Sequence, residues 1–491
     1  MKSQSKATNI YAKVKALIEE GRFSLACRSL TKDALAPKDA STANTLREKH
    51  PVGESTDEPA EMPKSLELEP NEILDAIRSF PVGSAGSLSG LRPDHLRDAS
   101  QAILQTSVVE MICKLCNLVA SGKVCKRVQP FLAGGSLTAL LKKDGGIRPI
   151  AVGDVLRRLT GKALVRAQKD KLVNYFSPLQ VGVAVPCGAE AVAHGWKIIM
   201  EMFAGDPDIV AVKVDFDNAF NNANRAEMLR LCLLHFPELY GFAWFCYCEP
   251  SSLYLQGYDV PEVILSRQGT QQGCPFGSFL YCLILHKLVK KISERCPNLK
   301  LHTWFMDDGS IIGKTSDVER AWKIIVKEGP ADGLFANTTK SELVWPMRVP
   351  ESHPFPPTMK VYPTPNCDIL GAPIGTADHC DEWVKSKAIR KTTKLMAHLD
   401  KLDSPHHAYM LLRYCLSFSR MVFFLRAIPV DCLLRACDLF DQAVLQGLQS
   451  ITYYKFDDNA IIQSSLRLAN GGLGLRKSKQ HHPAASFASF R

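Results

Sequence analysis

The chain has 491 residues, 46% of them hydrophobic and 22% charged, with a formal net charge of +10. That length and apolar content give room for two or three domains with real cores, which excludes a disordered chain. The basic balance, with a pI near 8.8, fits a polyanionic partner such as nucleic acid. Sixteen cysteines lie scattered without framework spacing, as expected of reduced thiols in an intracellular protein. Cys113 and Cys116 form a CxxC in an apolar, helix-like stretch with no second Cys/His pair, so no zinc site is expected there. No apolar run reaches the roughly 18–20 residues of a membrane span, and no membrane partner is expected.

Residues 1–65 stand apart. Helical periodicity covers 10–30, and 36–63 is rich in Pro, Ser, Thr and Glu, which predicts a helical extension on a flexible linker. Residues 87–96 read as a loop entering a helix. The run 140–150 reads as strand, Asp-Gly-Gly turn, strand, with Lys142 and Lys143 on one arm and Arg148 on the other. Converging cations suit a triphosphate, and Arg offers bidentate contact; ordinary surface lysines on a solvated hairpin are the alternative. Arg157, Arg158, Lys162, Arg166, Lys169 and Lys171 follow along a helical stretch, either as a phosphate-tracking face or as a solvated one. Gln180-Val181-Gly182 opens another loop before a helix.

The β-branched run 209–214 predicts a buried strand that ends on Asp215. Asn224 then opens a helix, with Glu227 three residues on as capping-box partner. The run 268–275 is a Gly-rich loop with Pro275 at the first turn of an apolar-periodic helix. Residues 303–312 predict a β-hairpin with Asp307 and Asp308 at its tip. Asp favours turns, yet two adjacent carboxylates repel, and a divalent cation cancels that repulsion. An acid at the end of a buried strand plus an Asp pair on a hairpin is what two Mg²⁺ ions need.

Here the sequence resembles a reverse transcriptase of the non-LTR retrotransposon type. Phe305-Met306-Asp307-Asp308 is similar to the family's aromatic-x-Asp-Asp box, and Asp215 to Phe220 to its Asp-x-x-x-Ala-Phe box. The resemblance runs from about residue 87 to about 476, with the motifs in the family's order. It implies an α+β right-hand polymerase with fingers, a palm of antiparallel sheet plus helices, and a helical thumb. Asp215, Asp307 and Asp308, with Phe216, would hold two Mg²⁺ ions, Mn²⁺ being the alternative ion. Residues 140–150 become the fingers hairpin, with Arg148 and Lys142 or Lys143 on the triphosphate. Phe216 joins the nucleotide site. Phe220 becomes the ring that blocks a 2′-hydroxyl and so favours dNTPs. Gln272 and Gly273 match the family's Gln-Gly-x-Pro loop beside the nucleotide. The usual Ser-Pro pair further on is replaced by Gly277-Ser278, which leaves the fine shape of that loop open.

Residues 333–342 resemble the Gly-Leu-x-x-Asn-x-x-Lys box, which makes Lys340 the candidate general acid for pyrophosphate; a surface lysine capping a loop is the alternative. Leu370-Gly371 resembles the turn that grips the primer. From 382 to 476 only helices are expected, with an apolar-periodic one over 411–425, and clustered cations suit a thumb holding duplex. The expected organisation is an extension over 1–65, fingers over 66–200, palm over 201–375, thumb over 376–476 and a tail over 477–491. The reverse transcriptase core is expected over about 130–375. The expected activity is RNA-directed DNA polymerase, with RNA template, DNA primer and dNTPs as partners. The rivals are RNA-directed RNA polymerase and an inactive polymerase-like RNA- or partner-binding protein. No endonuclease, RNase H-like acidic set or zinc knuckle is found. A fragmentary or decayed element, or a separate gene product, is therefore expected.

Overall fold

The computed structural model describes residues 2–31, 35–54, 56–86, 88–101, 105–142, 145–257 and 262–490. Lys143 and Ser87 lie outside them. The chain begins with α1 (Lys2–Glu19) and α2 (Phe23–Ser29). Both pack on the far end of the chain. Phe23 stacks on Tyr414 at 4.8 Å, and Tyr11 Oη hydrogen-bonds His398 Nδ1 at 2.9 Å. The stretch expected as a linker carries a third helix, α3 (Ala40–Glu48), capped by Asp39, whose carboxylate accepts from Thr42 N at 2.8 Å. Its buried Ala43 and Leu46 cover a sheet, so this stretch is a packed helix rather than a free tether.

Helices α4 (Pro70–Arg78), α5 (Pro93–Ala99), α6 (Gln105–Ala120) and α7 (Gln129–Ala133) lead into β1 (Gly135–Leu141) and β2 (Ile147–Gly153). Cys116 on α6 is buried in the core, and burial pushes its thiol up to about 12. β1 and β2 pair antiparallel from Gly135–Gly153 to Leu141–Ile147, as the hairpin pattern predicts. Then come α8 (Val155–Ala167), α9 (Lys169–Phe176) and α10 (Gly188–Met202). The basic row along α8 and α9 is partly spent inside the fold. Arg157 is fully buried over the Tyr247 ring, Arg158 donates to Gly153 O and Ala85 O, Lys162 to Ser79 O, and Lys171 pairs with Glu238. Arg157, Arg158 and Lys162 thus join chain segments within the fold, while Arg166, Lys169 and Lys171 are exposed.

The middle of the chain runs β3 (Ile209–Val214), α11 (Ala219–Asn222), α12 (Arg225–His235), α13 (Pro237–Tyr247), β4 (Ser251–Leu255), β5 (Glu262–Ser266) and α14 (Pro275–Arg295). It continues through β6 (Leu301–Phe305), β7 (Asp308–Lys314), α15 (Thr315–Glu328), β8 (Glu342–Val344), β9 (Lys360–Tyr362), β10 (Cys367–Ile369) and β11 (Ala372–Ile374). Two sheets result. The fingers sheet has the order β2-β1-β4-β5, antiparallel except for the β1–β4 pair, and the palm sheet β6-β7-β3-β8-β9, antiparallel except for the β8–β9 pair. β10 and β11 form a separate hairpin. The apolar α14, with Phe276, Phe279, Leu280 and Ile284 buried, fills the core behind the palm.

Helices complete the chain: α16 (Ala377–Val384), α17 (Arg390–Met396), α18 (Pro405–Leu411), α19 (Val422–Ala427), α20 (Leu434–Thr452), α21 (Asp458–Ser465) and α22 (Ser478–Phe490). The helix expected over 411–425 is broken. A π-turn over Leu412–Leu416 runs into Ser417, whose hydroxyl donates back to Arg413 O at 2.8 Å and bends the chain. The segment Pro405–Ala427 has the length and apolarity of a membrane span, with mean hydropathy 1.3. Here its Leu411, Leu412, Leu416, Met421 and Leu425 fill the core of the helical domain. The expected tail is also helical. α22 is held where Ser478 N donates to Asp441 Oδ1 at 2.7 Å, and Phe490 lies 4.1 Å from the His194 ring.

Trp304, fully buried on β6 and stacked on Phe216 at 5.8 Å, joins hairpin to palm core. Trp304→Ala should therefore destabilise the fold by about 3–5 kcal/mol, read as a lowered urea midpoint. An unchanged midpoint would contradict this packing.

Candidate active site

Asp215 is the first residue past β3, and its backbone is fixed on both sides. Its N–H donates to Ser341 Oγ at 3.1 Å and its carbonyl accepts from Asn337 N at 2.8 Å. Asp217 N donates to Phe335 O at 2.9 Å, so residues 335–337 continue the sheet beyond β8. Phe216 pairs with Ala336 in a bridge whose hydrogen bonds belong to the flanking residues. Its own carbonyl thus points to the other side, toward β7 and the hairpin turn. The Phe216 side chain is buried against Trp304, so only its backbone can serve a metal or nucleotide.

The Asp307–Asp308 turn is held by a residue that the sequence places only in a loop. Gln180 is fully buried. Its Oε1 accepts from Met306 N and its Nε2 donates to Met306 O, both at 2.9 Å. Val181 N donates to Trp304 O at 2.8 Å beside it. Met306 takes a positive φ of 56°, a strained setting for a non-glycine residue that persists where surroundings over-determine it. The Gln-x-Gly segment is therefore the clamp of the acidic turn. Nothing local in the sequence signals this, because the two partners are more than 120 residues apart.

The three carboxylates act on one another. Burial, then Asp307 and Asp217, raise Asp215, while Lys340 and Lys142 pull it down. Burial raises Asp307, and Arg148 opposes the rise. Asp308 is the exposed first residue of β7. Desolvation, then the Asp307 and Asp215 carboxylates, push it up to about 7 against the pull of Lys213 and Arg148. Arg148 and Lys142 thus stand within electrostatic reach of the palm acids from the fingers hairpin, on opposite arms. Lys340 reaches Asp215 from a turn built on the Asn337 side chain, whose Oδ1 accepts from Thr339 N and Lys340 N at 3.0 Å.

Phe220 sits five residues past Asp215 and stacks on Tyr281 at 4.5 Å. Its carbonyl accepts from Thr270 N at 2.7 Å. Gly269, at φ 66°, allows this contact, since a Cβ there would lie 2.1 Å from Phe220 O. Gln272 and Gly273 form the exposed side of the same loop. Its anchor is Gln271, buried and donating from Nε2 to Ala133 O at 3.0 Å. Arg225 holds the loop's other end from beneath. It is buried and donates to Ser266 O, Gln268 O and Gly269 O at 3.1–3.2 Å. Leu370 and Gly371 lie apart from this cluster, at the tip of β10–β11, with positive φ of 48° and 84°. That pair makes a tight two-residue hairpin turn. Its strands are packed between palm and helical domain.

The site's donors are carboxylate and carbonyl oxygens, the set that Mg²⁺ prefers. Among the described residues, no three acid, His or Cys side chains converge tightly enough to enclose an ion alone. Mg²⁺ is bound in this open fashion, through one or two carboxylates completed by substrate phosphates. Repulsion that raises Asp215 and Asp308 is a second sign of fit, because a cation relieves it.

An acid-bearing palm sheet faced by a cationic hairpin and backed by helices defines the class of right-hand nucleic-acid polymerases. Residues 140–374, a little under half of the chain, match the reverse transcriptase (RNA-dependent DNA polymerase) family. A curated relative, the retrotransposable element SLACS 132 kDa protein of Trypanosoma brucei gambiense, is 21% identical over 441 residues. The match covers 86% of this chain, which spans about a third (35%) of that protein's length. Among solved structures, telomerase from Candida albicans with a fragment of telomeric RNA is similar at 12% identity and a TM-score of 0.42. The likeness covers 74% of this chain and 62% of that one. Truncated apo telomerase from Candida tropicalis is similar at 14% identity and a TM-score of 0.37, over 54% and 59% of the two chains. The fold assignment stands on the strand order and the family match.

Asp308 binds a proton more readily folded, near 7, than unfolded, near 3.8. Its stabilising contribution is complete at low pH and lost as pH rises through about 7. Asp308→Asn should accordingly raise the Tm of ion-free protein at pH 8 and leave it nearly unchanged near pH 3, below the unfolded value. Added Mg²⁺ should raise the Tm of the unaltered protein at pH 8 more than that of the variant. Equal Mg²⁺ responses would remove Asp308 from the metal site.

Proposed function

We propose that this chain is an RNA-directed DNA polymerase of a non-LTR retrotransposon, adding dNTPs to a primer 3′-hydroxyl. The observation that carries the proposal is the approach of Asp215, Asp307 and Asp308 to one another under the charges of Arg148 and Lys142. Two Mg²⁺ ions, held by those acids and the Phe216 carbonyl, would lower the pKa of the 3′-hydroxyl and neutralise charge on the triphosphate. Arg148 and Lys142 bind and orient that triphosphate. The 3′-hydroxyl gives its proton to solvent, and its oxygen bonds to the α-phosphorus as the bond to pyrophosphate breaks. Lys340, beside Asp215, supplies a proton to the departing pyrophosphate. Phe220, packed on Tyr281, fills the space a 2′-hydroxyl would need and offers it no hydrogen-bond partner. This ring argues against RNA synthesis. In this reading the Leu370–Gly371 turn supports the primer strand, and the cations of the helical domain hold duplex phosphates.

The test is primer extension on poly(rA)/oligo(dT) with dTTP and Mg²⁺. Extension by the unaltered protein and none by Asp307→Ala is the expected result. Salt-sensitive RNA binding without extension would instead mark a polymerase fold kept only for binding. Phe220→Ala should raise incorporation of rUTP relative to dTTP by about tenfold or more. An unchanged ratio would remove Phe220 as the sugar gate.

A further inference from the structure

Residues 35–53 connect two parts of the site through contacts that no motif announces. The run begins on the fingers sheet, where Leu35 bridges Leu140 and Ala36 N donates to Ala139 O at 3.0 Å. α3 then lies across that sheet, with Leu46 and Ala43 buried against Leu137, Leu253 and Ile264. This small core is separate from the palm core. Arg47 pairs with Glu262 at the sheet's far edge. Past α3 the chain meets the palm. Lys49 O accepts from Asn218 Nδ2 at 2.9 Å, and Asn218 lies between Asp215 and Phe220 in the turn that carries both. Gly53 then presses on the nucleotide loop. A Cβ there would lie 2.4 Å from Gln268 Oε1 and 2.7 Å from Arg267 O, too close for any other residue without displacement. Thr56 Oγ1 donates to Cys248 O at 3.1 Å and continues the belt along α13.

The fingers sheet carries the cations, and the palm carries the carboxylates. Their separation decides whether one triphosphate can touch both. A segment anchored in the fingers core at one end and on the palm turn at the other fixes that separation.

We infer that residues 35–53 are a strap completing the incoming-nucleotide pocket, fastening the cationic fingers hairpin to the Asn218 turn of the palm. The inference rests on the polymerase reading above. Asn218 and Gly53 are positioning residues that act through the Asp215–Phe220 turn and the 267–273 loop. Loosening the strap should therefore weaken dNTP capture and leave primer–template binding alone.

The experiment uses the full chain with Gly53→Val and, separately, Asn218→Ala. KM and kcat for dTTP, primer–template Kd and Tm are measured on each. The expected result is a KM about tenfold higher, with kcat and primer–template Kd within about twofold of the unaltered protein. KM unchanged in a folded variant overturns the strap, and so does a fall in Tm with loss of kcat at constant KM. Should Gly53→Val fail to fold, Asn218→Ala decides, read against Asn222→Ala, which loosens the same turn, where Asn218 takes a φ of 47°, and leaves the Lys49 contact in place. Hydrogen exchange separates the strap from the activity itself. Faster exchange in both β1–β2 and residues 216–222 of the variants supports the strap even where the unaltered protein incorporates nothing, and unchanged exchange there overturns it. Absence of incorporation by the unaltered protein would count only against the polymerase reading.

Discussion

The mutual repulsion of Asp215, Asp307 and Asp308 is the constraint on which the structure turns. Each carboxyl is partly desolvated, and the neighbouring charges raise Asp215 and Asp308 further. Left to itself, a flexible turn would splay such groups apart. Here it cannot, because both carriers are fixed by backbone hydrogen bonds. Gln180 holds Met306 by N–H and carbonyl together, and residues 335–341 hold Asp215 from the opposite edge. The energy of bringing the charges together is supplied by folding, and counter-charges from Arg148, Lys142, Lys213 and Lys340 offset part of it.

The rigidity of that arrangement comes from β3. Its side chains alternate, and both faces are buried. Val210, Val212 and Val214 face the core shared with α14 and the fingers helices. Ile209 and Ala211 face the core shared with the C-terminal helices and the β10–β11 hairpin. On β7, Ile311 and Ile312 divide in the same way. The palm sheet is therefore the common wall of two cores, and the acids at its end are braced from both. The fingers sheet lies outside this arrangement, with a third small core completed by α3, and it is joined to the palm by Arg225 on Ser266 and by residues 35–53.

Much of this was legible in local pattern. The β-branched run ending at Asp215, the Asp-Gly hairpin and the Lys142–Arg148 hairpin are short-range signals, because strand alternation and turn chemistry act over a few residues. The order of the acid-bearing boxes added the polymerase architecture. The same local reading was misled at Ala36–Pro63, where polar residues that cap and flank α3 look like a linker, and along α8–α9. There, arginine and lysine spacing looks alike whether the side chains meet solvent, phosphates or internal carbonyls.

By itself, then, the sequence determined which residue types carry the chemistry, and on which strands and turns, since those depend on near neighbours. Only the tertiary structure decided what holds them. Gln180 on the Met306 turn, Arg225 beneath the 266–269 run, the N-terminal helices on the C-terminal ones and the 35–53 strap over the fingers join residues far apart in the chain. Such pairings are made by desolvated hydrogen bonds to backbone and by complementary apolar faces. Backbone atoms are the same at every position, so a contact made to them leaves no trace in the identity of the partner residue.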